Sequence, residues 1–128
     1  GTTAAHIARA ALDGIAFQTY DIAQAMSRDL NAPLTELKVD GGASRNNLLM
    51  QYQANLLGIN VVRPKITETT ALGAAYLAGL AVGFWKDIDE VKKQWQVERT
   101  FEPAGETPEI EEAKKGWKDA IQRTLSRK

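Results

Sequence analysis

The feature that most constrains the fold is a short strand that ends in two consecutive glycines and leads at once into a helix. Leu37 and Val39 alternate with charged residues, as in a half-buried strand, and Asp40-Gly41-Gly42 ends that strand before a helix predicted over about 46–57. Bare backbone at the carboxyl end of a strand, followed by a helix N-terminus, is where open α/β sheets bind ligands. The motif is neither a P-loop nor GxGxxG, so its spacing alone leaves two interpretations: a backbone surface for a nucleotide, or a tight strand-to-helix turn.

A long first helix is predicted from a cap at Thr3 to about Leu30. Its apolar residues recur at steps of four or seven and form one stripe, which is expected to face the core. The stripe consists of Ile7, Ala11, Ile15, Ile22 and Met26. Asp13, Asp21 and Asp29 also recur along this helix, but at ~12 Å apart by the helical rise they are too distant for paired acid–base catalysis and indicate a solvated face.

Further helices and strands follow the glycine turn. A second strand is predicted over 59–63, a helix after a cap at Thr69 or Thr70, a strand or extended arm over 97–101, and a final helix after Thr107-Pro108. Strands joined through helices favour parallel pairing, and a sheet this narrow fits the end of a larger one. The expected fold class is therefore α/β, with short parallel strands flanked by helices and a helical C-terminal tail.

Composition excludes several classes of function. The 128 residues carry 16 basic and 16 acidic side chains, so there is no net charge to attract nucleic acid or an anionic membrane surface. The chain has no cysteine, which excludes disulfides and thiolate metal sites and fits a cytoplasmic protein. His6 is the single histidine, which makes a histidine-rich metal site or an internal Ser-His-Asp triad hard to build. The apolar stretch over 71–85 is too short for an integral membrane segment.

A second motif, Thr67-Glu68-Thr69-Thr70-Ala71-Leu72-Gly73-Ala74-Ala75, has a simple structural interpretation. Its threonines are suited to cap a helix, and its small residues suit close packing of that helix against a neighbour. The pattern therefore favours a structural role over direct ligand binding.

The residues from Leu37 to Asn47 resemble the sugar and polyol kinases of the actin-like ATPase superfamily. The run that begins at Arg63-Pro64 and continues from Thr69 to Trp85 is similar to the members that phosphorylate glycerol, as are the opening residues and Glu98-Arg99-Thr100-Phe101. The resemblance implies two domains of ribonuclease-H-like fold that close around ATP, Mg and the acceptor alcohol. Residues 1–128 would be the C-terminal portion of the second domain, on the nucleotide-binding side, with the catalytic N-terminal domain absent.

The resemblance also implies which residues contact the nucleotide. Gly42 and Asn46 match the family's principal contacts, and Gly41, Ala43 and Asn47 are included as their neighbours. The family's catalytic aspartate, its phosphate-binding hairpin and its metal contacts match no residue of this chain. No catalytic or metal-binding residue is therefore expected here, and the isolated chain is predicted to be inactive.

The partners implied are an adenine nucleotide, glycerol bound through the missing domain, and further copies of the chain in a homo-oligomer. In some bacterial members a sugar-transport regulator docks on a segment matching about 103–112, which places a regulator site near Glu109. Two alternatives stay open. The kinase could act on another sugar such as a pentulose, or the chain could be a non-catalytic fragment that only binds nucleotide or self-associates.

Overall fold

The computed structural model describes residues 1–125, which form five α-helices, one 3-10 helix and three strands. In chain order these are α1 (Ala4–Leu30), β1 (Glu36–Lys38), the 3-10 helix (Gly42–Arg45), α2 (Asn47–Leu57), β2 (Asn60–Pro64), α3 (Thr69–Ala81), α4 (Ile88–Lys92), β3 (Val97–Phe101) and α5 (Pro108–Leu125). The α/β class is confirmed, and so are the N-cap at Thr3 and the end of α1 at Leu30.

The sheet is mixed, with the strand order β1-β2-β3. Leu37 pairs with Val61 in a parallel ladder, which confirms the predicted pairing of β1 and β2. Phe101 also pairs with Val61, but β3 is antiparallel to β2, so the expectation of parallel strands is wrong there. The reason is the connection. It contains both α3 and α4, and the chain returns to the carboxyl end of β2, where Lys65 N–H donates to Gln96 O at 2.9 Å.

The core lies between the sheet and α1, with α2 in the middle. Leu49, Ala54, Val61 and Phe101 are each almost fully buried there. Phe17 of α1 stacks on Trp117 of α5, with ring centroids 5.2 Å apart and planes 8° apart. This stacking attaches the C-terminal helix to the rest of the fold.

The predicted apolar stripe of α1 does not face the core. Ile7, Ile15, Ile22 and Met26 are between 47% and 67% exposed, whereas Ala16, Phe17 and Ala23 are buried. The helix has two apolar faces. Ala16 and Phe17 lie in the core where α1 packs against α2, and Phe17 also stacks on Trp117 of α5, so the isoleucine face stays uncovered.

Helix α3 is also largely uncovered, although no charged residue occurs in it. Leu77 is 70% exposed, and only Gly79 is buried, because the ring of Trp85 lies over it so closely that a Cβ there would be 2.2 Å from ring carbons. A helix that is apolar all round is normally buried, and α3 departs from that rule within the described residues. Within residues 1–125, no helix combines the length and apolar character needed to cross a membrane.

Candidate functional site

Gly41 gives the turn after β1 its direction. Its backbone has φ 73° and ψ 176°, a conformation that is essentially restricted to glycine. Its N–H donates to Thr67 O at 2.8 Å, and its carbonyl accepts from both the N–H and the hydroxyl of Ser44, at 3.2 and 2.7 Å. The buried Ser44 side chain thus closes the turn from inside.

Gly42 begins the 3-10 helix and is exposed. Its φ is not positive, and a Cβ built on it meets no atom within 4 Å. Neither backbone strain nor packing within the described chain therefore requires glycine at this position. A side chain would occupy open space beside the backbone, which is the space that a ligand contacting Gly42 and Ala43 would use.

Asn46 connects this turn to α2. Its Oδ1 accepts from Leu49 N–H at 3.1 Å and caps the helix, so its amide NH₂ is the part of the side chain that remains for a ligand. The helix begins at Asn47, as predicted within one residue, but the 3-10 helix before it was not anticipated. Gly42, Ala43, Asn46 and Asn47 are all exposed, so these predicted contacts share one accessible turn.

Arg63 is hydrogen-bonded to the glycine turn from the end of β2, and the sequence patterns did not identify it as a site residue. Its side chain is 7% exposed, and its Nη1 donates to Ser44 O at 2.7 Å and to Asn47 Oδ1 at 3.0 Å. Its Nε and Nη2 donate to the carboxylate of Glu98 on β3. The sequence signal that could have identified Arg63 is its place near the end of β2, directly after two valines.

The loop between β2 and α3 holds the other side of the turn. Thr67 is buried, and its hydroxyl accepts from Arg45 Nε and Nη2 at 3.3 Å each. Thr69 was predicted as a possible cap for α3, but it is the first helical residue, and its hydroxyl donates to the carboxylate of Asp40. The N-cap is Glu68, without a side-chain cap bond. Hydrogen bonds therefore join the Asp-Gly-Gly turn and the loop that carries Thr67 and Thr69 into one site.

A polar cavity of about 430 Å³ opens beside this structure. Its lining consists of Arg45, Asn47, Arg63, Lys65, Thr67 and Glu98. The side chains of Arg45, Arg63 and Lys65 are cationic, and that of Glu98 is the one carboxylate in this lining. The hydrogen bond from Arg63 lowers the pKa of Glu98, and the charges of Arg63 and Arg99 lower it further. Within residues 1–125 there is no group of three or more His, Cys, Asp and Glu side chains that could hold a metal ion.

The C-terminal domain model of the FGGY family of carbohydrate kinases matches residues 1–82. The chain belongs to this family. The matched residues contain the glycine turn, Arg63, the loop to α3 and Thr69, which hydrogen bonds join into one site, whereas Glu98 lies outside the match.

Named relatives agree with this assignment. The chain is 60% identical over 121 residues to a glycerol kinase of Burkholderia ambifaria (strain MC40-6), which covers 94% of this chain and 24% of that protein. A crystal structure of Plasmodium falciparum glycerol kinase with ADP is 33% identical with a TM-score of 0.82, and it covers 100% of this chain and 26% of that one. A ligand-bound xylulose kinase from Lactobacillus acidophilus is 25% identical with a TM-score of 0.72, covering 99% and 26%.

The fold of this FGGY-family chain is thus that of part of a carbohydrate kinase of the actin-like ATPase type, as predicted. The chain spans about a quarter of the length of the curated relatives it matches. Glu109 lies in the first turn of α5, where a hydrogen bond with the Thr107 side chain lowers its pKa. Regulator docking near Glu109 stays a prediction.

Proposed function

We propose that this chain is the nucleotide-binding portion of the second domain of an ATP-dependent glycerol kinase. The whole enzyme would transfer the γ-phosphoryl group of ATP to glycerol and form glycerol 3-phosphate in the cytoplasm. The observation that carries the proposal is the exposure of Gly42 and Asn46 on one turn, in a chain that is 60% identical to a Burkholderia glycerol kinase over 121 residues. The structural likeness to a glycerol kinase crystallised with ADP supports the same conclusion.

In this proposal the turn binds the adenosine end of ATP. The open space beside Gly42 lets the nucleotide approach the backbone, and the amide NH₂ of Asn46 supplies a hydrogen-bond donor. Gly41, Ala43 and Asn47 complete the contact surface. Phosphoryl transfer depends on positioning and on charge stabilisation by Mg²⁺, and those contacts are assigned to the remainder of the enzyme.

The uncovered apolar surfaces support a role as part of a larger domain. Ile22 on α1 is 62% exposed and Leu77 on α3 is 70% exposed. In the whole enzyme we assign both surfaces to contacts with the other part of the polypeptide. In the isolated chain the same surfaces favour self-association, since burying apolar area is the main driving force for assembly.

A pentulose kinase is the second candidate, and the similarity to xylulose kinase is the observation that favours it. The identity is lower than to the glycerol kinases, at 25% against 60%. The residues of the glycine turn face the nucleotide in either case, so they do not separate the two acceptors.

A hybrid enzyme tests the proposal. In the B. ambifaria glycerol kinase, the matching 24% of the protein is replaced by this chain, and ADP formation is measured with glycerol and with xylulose as acceptor. We expect glycerol-dependent activity within about tenfold of the parent and loss of that activity with Gly42→Val. A folded hybrid without activity would overturn the proposal, and a hybrid that prefers xylulose would support the second candidate. The 128-residue chain alone should show no turnover.

A further inference from the structure

Among residues 1–125, Arg63 is the one charged residue that is buried, with 6% of its surface exposed. Burying a guanidinium is unfavourable unless its donors are satisfied by well-placed acceptors. Here Nε, Nη1 and Nη2 all donate, and the group also lies 5.2 Å from the ring centroid of Phe101. Four of the five guanidinium N–H groups thus have an acceptor, which indicates that this arrangement is specific for arginine.

The partners of Arg63 belong to three different elements. Glu98 lies on β3, Ser44 is in the 3-10 helix, and Asn47 is the first residue of α2. In the sequence, Ser44 lies midway between Gly42 and Asn46, the two principal nucleotide contacts in the proposed function. A bond to its carbonyl oxygen therefore fixes the part of the backbone that sets the separation of those two contacts.

We propose that Arg63 is a positioning residue for nucleotide binding, which holds the 3-10 helix so that Gly42 and Asn46 present their backbone and amide groups together. The inference rests on the proposed nucleotide site. The planar guanidinium fork can bind Glu98 on one side and the turn on the other, whereas a lysine ammonium at the same position has no such fork. Glu98 orients the guanidinium through Nε and Nη2, and Nη1 binds the turn.

A merely structural ion pair between β2 and β3 is the competing interpretation, and Arg99 provides a matched control. Arg99 is an exposed arginine on β3 whose guanidinium lies 4.5 Å from the centroid of the same Phe101 ring. It makes no hydrogen bond to the turn within the described part of the chain. Arg99→Lys therefore removes a guanidinium from the same aromatic ring and leaves the anchor at Ser44 unchanged.

The experiment uses the full 128-residue chain with Arg63→Lys, Glu98→Gln and Arg99→Lys. Affinity for ADP is measured by calorimetry, and the amide resonances of residues 41–47 are followed by NMR at a temperature where every variant is folded. We expect Arg63→Lys to weaken ADP binding about tenfold and to shift the turn resonances, since it removes hydrogen bonds from a charged donor. Glu98→Gln should show a smaller change of the same kind, and Arg99→Lys should match the wild type.

Equal ADP affinity and unchanged turn resonances in Arg63→Lys would overturn the inference while the nucleotide site stands. Should Arg63→Lys fail to fold, Glu98→Gln decides, because half of the Glu98 side chain is exposed and its replacement retains an acceptor. A Glu98→Gln chain with wild-type resonances and affinity would then contradict the inference. Absence of ADP binding by the wild-type chain would instead contradict the proposed site itself, and the inference with it.

Discussion

Arg63 Nη1 lies 2.7 Å from the carbonyl oxygen of Ser44, so a side chain from the end of β2 is hydrogen-bonded to the turn that follows β1. Because β1 and β2 are parallel neighbours, their carboxyl ends meet at one edge of the sheet. The 3-10 helix is therefore held from the sheet side, while Gly42 and Asn46 remain accessible on the other.

Gly42→Val should abolish ADP binding without unfolding the chain. The new side chain meets no protein atom within 4 Å at its Cβ, and it fills the space proposed for the nucleotide. Calorimetric titration with ADP and thermal unfolding measure the two effects. Gly116→Val is the control, since this glycine has equally open surroundings but lies on α5. Retention of wild-type affinity in Gly42→Val would remove Gly42 from the site.

Gly41→Ala should destabilise the fold itself. The φ of 73° and ψ of 176° are strained for any residue with a Cβ, at a cost on the order of 1–3 kcal/mol. Urea unfolding measures the free-energy difference. Gly42→Ala is the matched control, because its φ is not positive, and it should change stability by less than about 1 kcal/mol. Equal stability of the two variants would contradict the conformation described for Gly41.

Stability at acid pH should depend on Glu98. The hydrogen bond from Arg63 lowers the pKa of Glu98 in the folded chain, so this contribution is complete above its ordinary value of 4.5 and is lost as the pH falls below that value. Glu98→Gln lacks the contribution at every pH. The difference in unfolding free energy between the two proteins should therefore shrink as the pH falls from 6 to 3, and a constant difference would contradict the ion pair.

The isolated chain should self-associate through its uncovered apolar surfaces. Ile22→Glu and Leu77→Glu place a charge on α1 and α3, respectively, and should shift the chain towards monomer in sedimentation velocity experiments. Gln18→Glu adds the same charge at an exposed polar position of α1 and should have little effect. A wild-type chain that stays monomeric at high concentration would contradict the assignment of these faces to a contact.

Local chemistry explains which parts of the fold were predictable. Gly58 ends α2 with φ 67°, as expected of a glycine after a helix, and the Asp-Gly-Gly motif marks the real turn. The direction of β3 and the buried face of α1 depend on which elements arrive later in the chain, so periodicity could not determine them. Arg63 is the clearest case, because its burial depends on Glu98, 35 residues further along.

The most direct test of the central claim is an NMR titration of the 128-residue chain with ADP. The nucleotide site proposed at the turn predicts saturable shifts concentrated in the amides of residues 41–47, including the side-chain NH₂ of Asn46. Shifts confined to another surface, such as the apolar cavity of about 260 Å³ that Tyr76 and Trp95 line, would contradict it, as would the absence of any saturable change.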